Sequence, residues 1–149
     1  MFKEFSVEKI VMGPIGMGDD LYKTVERYAA ENHITHAWIN ALGAVTQLAY
    51  FYYDQDKKEY AQESVHEKLE ILSCIGNISL KNGKPFLHLH ITCSDRKGKT
   101  IGGHLTPGAL VFACEIILFV LKGSEKLERG FDPVTGLHLW QCGLHDDKK

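Results

Sequence analysis

The sequence predicts an α+β fold, a largely antiparallel β-sheet carrying one main helix near the N-terminus. Three observations lead there. Residues 19–32 have helical apolar spacing, and the chain beyond residue 33 reads as apolar or alternating runs of strand length. Those runs are joined by short polar turns, among them Asn82-Gly83, a dipeptide favoured in tight hairpins. Strands connected this way pair antiparallel. One helix covers only part of one sheet face. The remaining apolar surface has to be buried by curling of the sheet, by short further helices or by another subunit.

Taken in order, the first element of note is MGPIGMG (12–18), a glycine-rich lead-in to the helix. Such a lead-in can cradle an anion. Its spacing matches neither G-x-x-x-x-G-K-[ST] nor G-x-G-x-x-G, so a plain strand-to-helix loop is the favoured reading. Asp19 and Asp20 cap the helix, Leu21, Val25, Tyr28 and Ala29 form its apolar stripe, and Asn32 suits its stop. Beyond it, HAWINALGAV (36–45) is apolar with a break expected at Gly43, and TQLAYFYY (46–53) alternates weakly. DQDKKE (54–59) reads as a loop into YAQESV (60–65). KLEILSCIGNISL (68–80) comes next, with Glu70 as the only charge in its apolar run. FLHLHITCS (86–94) is another strand, and SDRKGK (94–99) another turn. Residues 108–121 are strand rather than buried helix, because Val111, Phe112, Ile116, Ile117, Phe119 and Val120 favour extended backbone. TGLHLWQCG (135–143) reads as a last strand and DDKK (146–149) as a frayed end.

At 149 residues the chain is one domain, 1–149, large enough to bury a core without staples. A net charge of −2 gives no argument for a broad polyanion-binding surface. Cys74, Cys93, Cys114 and Cys142 form no C-x-x-C, and three of them lie in apolar runs. A reduced, cytoplasmic protein is expected. The first residues, MFKEFSVEKIVMG, are too charged for a secretory leader. The longest apolar run, 108–121, is interrupted by Glu115 and too short to span a bilayer, so no membrane association is expected.

The chemistry concentrates in PFLHLHITCSDRKGKTIGGHL (85–105), which holds His88, His90 and His104. Alternate residues of a strand share a face, so His88, His90, Thr92 and Ser94 stand on one side and Leu87, Leu89, Ile91 and Cys93 on the other. If 95–99 form the hairpin loop, His104 falls opposite His90. A slip of one residue would turn it to the other face; Gly102-Gly103 directly before it would permit a bulge that corrects such a slip. Three neutral imidazoles suit zinc or another divalent transition metal. Three protein ligands leave a coordination position open to water or a small-molecule ligand.

Glu115, and less strongly Glu70, are candidates to orient an imidazole from behind. His33 and His36 flank the helix end and could interact with its dipole; His66, His138 and His145 read as surface or packing residues. Asp54 and Asp56 read as a solvated loop pair. No serine or cysteine sits in a nucleophile motif. Nor does any general acid or base have a legible role, so no reaction is specified.

The stretch E-I-L-S-x-x-G-N-I-S (70–79), then P-F-x-H-x-H (85–90), then G-G-H-L-x-x-G (102–108) with Glu115 beyond it, resembles the plants and prokaryotes conserved (PPC) domain family. The resemblance runs through most of the chain. It implies a curved, mostly antiparallel sheet, a homotrimer, and a metal, zinc foremost, on the histidines matching His88, His90 and His104. Plant members carry an AT-hook, an arginine-rich R-G-R-P segment that enters the DNA minor groove; that segment does not occur in this sequence. A DNA-binding or regulatory role would instead need Lys81, Lys84, Arg96, Lys97 and Lys99 to cluster from two turns. A third possibility is a protein-interaction module with a structural metal.

Overall fold

The computed structural model describes residues 2–141 as a nine-stranded sheet with one helix. β1 (Ser6–Ile15) leads into α1 (Leu21–Glu31). Then come β2 (Ala37–Asp54), β3 (Glu59–Val65), β4 (Leu69–Lys81), β5 (Lys84–Ser94), β6 (Thr100–Leu105), β7 (Leu110–Lys122), β8 (Glu128–Asp132) and β9 (Leu137–Trp140). Every ladder is antiparallel except β4–β8, which makes the sheet mixed. The long β2 changes partners along its length. Its first half lies between β4 and β7, and its second half pairs β3 and, at Tyr50 and Phe51, β6. Since β6 pairs β5 and β5 pairs β4, strands β2, β6, β5 and β4 form a closed ring.

The helix caps as its sequence requires. An oxygen of Asp20 accepts the Lys23 N–H at 3.1 Å, and its other oxygen accepts the Gly108 N–H at 2.7 Å, tying the helix start to the turn before β7. Asn32 closes the helix by donating from its side chain to the Tyr28 carbonyl at 2.9 Å. Leu21, Val25 and Ala29 join Leu87, Leu89, Ile91 and Cys93 of β5 in one buried cluster, so the alternation expected for β5 is observed. At Asn82-Gly83 both residues have positive φ, 53° and 72°, the left-handed pair a two-residue hairpin turn demands.

Four expectations are revised. Met12 to Ile15 are the end of β1 rather than loop: this edge strand pairs with β7, and Pro14 is tolerated there. Gly43 does not break β2. It sits at a bulge with φ 142°, where a Cβ would lie 2.1 Å from the Ala113 carbonyl oxygen, so β7 crosses close at that point. The charged segment 128–132, read as no element, forms β8 by pairing with β4 and β9. The basic residues do not gather. Lys81 and Lys84 lie at one end of β5 and Arg96, Lys97 and Lys99 at the other, about 30 Å away along the strand.

Cys74, Cys93 and Cys114 are buried free thiols, pushed up to about 12, 11 and 11 by burial. Cys142, His145 and the DDKK end lie outside the described residues. Among those described, no helix is long and apolar enough to cross a membrane.

A candidate metal centre on β5 and β6

Asp95 organises the turn that builds the site. Its side-chain oxygen accepts the N–H groups of Lys97 and Lys99 at 2.8 and 2.9 Å, and Gly98 takes φ 80°. The resulting register pairs His90 with His104, Ile91 with Gly103 and Thr92 with Gly102. No bulge interrupts this ladder: the expected register forms directly, and the two glycines have no slip to correct. They allow close approach instead. A Cβ on Gly102 would sit 1.9 Å from the Ile91 oxygen, and one on Gly103 2.7 Å from the Phe51 oxygen.

His88, His90 and His104 therefore face one another, with ring centroids 5.0 to 5.5 Å apart. One nitrogen from each lies within 4.8 Å of the others, which makes the trio a possible metal site. Tetrahedral zinc with Zn–N of about 2.0–2.1 Å would hold such nitrogens roughly 3.4 Å apart, so the rings would have to draw closer to bind it. The chemistry of the set also fits a cation. Burial first, then the charge of Arg129 and the neighbouring rings, pulls His88 down to about 4; burial, His90 and Arg129 do the same to His104. Both are neutral near pH 7, so each ring keeps one nitrogen lone pair that a metal can take.

Glu115 and Glu70 do not take the orienting place expected of them. Glu115 is exposed on β7 opposite Leu42, and β2 and β4 lie between it and β5, a separation of about 14 Å. Glu70 is exposed at the far end of β4 opposite Ser94. The residue behind the histidines is Arg129 of β8, only 7% exposed. It donates to Ser79 Oγ at 2.8 Å, Asn77 Oδ1 at 3.1 Å, the His138 carbonyl at 3.1 Å and His88 Nδ1 at 3.2 Å. Its guanidinium lies over the Phe86 and Trp140 rings. Sequence reading passed it over because ERGFD carries no periodicity. Only the parallel β4–β8 pairing, Lys81 with Arg129, brings it here.

Guanidinium has no acceptor, so the His88–Arg129 contact fixes a tautomer: Nδ1 carries the lone pair, and the ring proton of neutral His88 is on Nε2. Beside the trio opens a cavity of about 280 Å³ whose walls include Phe51, Tyr60, Phe86, Leu139, Lys81 and Arg129.

The other histidines are elsewhere. His36 is buried beyond the helix end, and its Nε2 accepts the Leu127 N–H at 2.9 Å. It is an acceptor that pins a loop. His33 takes a left-handed φ of 54°, His66 is exposed, and His138 stacks its ring edge on Phe131. Asp54 accepts the N–H groups of Asp56 and Lys57, a role in the loop itself.

A model of the Plants and Prokaryotes Conserved (PCC) domain matches residues 2–122. The chain belongs to that family. Among solved structures, it is similar to a metal-containing protein from Archaeoglobus fulgidus at 44% identity, with a TM-score of 0.88 over 94% of this chain and 98% of that one. A plant- and prokaryote-conserved protein from Pyrococcus horikoshii matches at 34% identity and TM-score 0.88, over 95% and 97%. Among curated proteins, the bifunctional protein GlmU of Synechococcus sp. (strain JA-2-3B'a(2-13)) is 31% identical over 120 residues. That match spans 80% of this chain and 18% of the GlmU protein. Arg129 lies beyond the residues the family model matches.

Proposed function

We propose that this PPC-family protein binds a divalent transition metal, zinc foremost, on His88, His90 and His104, and uses the open coordination position to hold a small molecule. One observation carries the reading: three imidazole nitrogens lie within 4.8 Å of one another beside a cavity. The metal-containing Archaeoglobus protein supports it. Three neutral ligands leave the ion's charge uncompensated and at least one position free, which suits an anionic or polar guest. The bound metal would supply a Lewis-acidic centre; the chain's own residues would position the guest against it.

We further propose that the molecule works as a homotrimer in the cytoplasm. Met12, Leu42, Leu72 and Ile75, exposed by 43 to 74%, line one depression on the sheet face that carries the histidines. Self-association would cover that apolar surface.

Elemental analysis of the native protein tests the metal. About one zinc or equivalent ion per chain is expected, and His90→Ala should abolish it while the fold persists. Metal-free protein prepared with ample zinc would end the proposal.

A further inference from the structure

Metal-bound imidazoles ordinarily donate their second ring N–H to a carboxylate, carbonyl or water. His88 faces the opposite kind of group, the donor Arg129. Metal can reach this ring by two routes, and both end that contact. If the ion takes Nε2, the ring proton must move to Nδ1, where it would confront an Arg129 N–H, donor against donor. If the ion takes Nδ1, it uses the lone pair that Arg129 held. Either way metal and Arg129 compete for His88.

Release changes what Arg129 can do. Guanidinium has five N–H donors. Nη2 spends its two on Asn77 and His88, and Nη1 spends one on the His138 carbonyl. Freed from His88, the side chain has one unspent N–H on each terminal nitrogen while Ser79, Asn77 and His138 still hold it. Nor is a carboxylate among the described residues paired with its charge. The two ion pairs among the described residues, Lys3–Glu125 and Lys57–Asp54, do not involve it, and the candidate ligand set contains no carboxylate. A dication, three neutral imidazoles and a buried guanidinium together leave a strongly positive pocket, which favours an anion in it.

Resting on the metal-binding reading above, we propose that metal loading hands Arg129 from His88 to the carboxylate of a small ligand. That ligand lies in the adjoining cavity with its apolar body against Phe51, Phe86 and Leu139. Two N–H groups on separate nitrogens match the two oxygens of a planar carboxylate. The largely hydrocarbon walls favour an aromatic or aliphatic acid over inorganic phosphate. Metal comes first and the carboxylate second, because the metal-free site has Arg129 engaged.

Cobalt-loaded protein provides the test, since the visible spectrum of the ion reports its coordination. Benzoate, the neutral isostere benzamide and inorganic phosphate are titrated into the unaltered protein, Arg129→Gln and Arg129→Lys. Benzoate should perturb the spectrum of the unaltered protein and benzamide should not. Arg129→Gln should weaken benzoate roughly ten- to hundredfold while cobalt binds equally well or more tightly, because its competitor is gone. Arg129→Lys, which keeps the charge without the fork, should fall between. Unchanged benzoate affinity in Arg129→Gln overturns the proposal, as does a parallel loss of cobalt affinity, the mark of a merely structural arginine. Preference for phosphate over benzoate overturns the carboxylate assignment, and so does an unaltered protein that takes cobalt but ignores benzoate. Failure to take up cobalt at all removes the metal reading itself. A measurement independent of any variant is nitrogen NMR of the metal-free protein: His88 must be the Nε2–H tautomer, and an Nδ1–H ring refutes the competition.

Discussion

His36 anchors the segment that leads into β8. Its Nε2 accepts the Leu127 N–H, two residues before Arg129. Burial, then Lys126, lowers its pKa from 6.5. A folded-state value below the unfolded one means that both states are neutral above about pH 6.5, where the stabilisation is fully present. As pH falls, the unfolded chain takes up the proton first and stability declines toward the folded pKa. Denaturant unfolding of metal-free protein at pH 7.5 and pH 5.5 should show the lower stability at acid pH. His88 and His104 share in that slope, and His36→Gln should make it shallower without abolishing it. Asp20 is a second residue whose effect can be predicted. Losing it removes the acceptor for both Lys23 and Gly108, so Asp20→Ala should cost about 1–2 kcal/mol in denaturant unfolding. The pairing of His90 with His104 was legible at this scale, because a period of two and a five-residue turn leave only one register with three rings on one face. Arg129 was not, since its position depends on a strand that pairs only at long range.

The β5–β6 hairpin is the element on which the site stands. Gly102 lies in its ladder opposite Thr92, where a Cβ would meet the Ile91 carbonyl. Gly102→Ala should therefore prise the strands apart, destabilise the fold by about 1–3 kcal/mol and lower metal content, because His104 loses its register with His90. Thermal unfolding and elemental analysis on the same sample check both outcomes. The helix, the Asn-Gly turn and the alternation of β5 were readable in the sequence because each is set by neighbours within a few residues. The reading of Met12 to Ile15 as loop failed for the converse reason. Glycine and proline argue against strand locally, yet β1 gains its ladder from β7, about a hundred residues away.

At the scale of the molecule, closing part of the sheet into a ring still leaves apolar side chains bare. Met12 and Leu42, 74 and 57% exposed, face water in the isolated chain. A trimeric mass in solution is expected, and Leu42→Glu together with Met12→Glu should shift it toward monomer without unfolding the protein. Light scattering of the two samples decides this. Within one chain the two basic turns are separated by the length of β5 and do not form a single patch.

The sequence by itself determined the local patterns: where the helix caps, which face of β5 is core, and that three imidazoles meet across a short turn. These come from periodicity and hairpin geometry, which act over a few residues. Tertiary structure decided the surroundings of those imidazoles. It moved Glu115 and Glu70 away and brought Arg129 in, because strand order in a sheet is set by burial and ladder pairing summed over the whole chain. No spacing within a segment encodes that order.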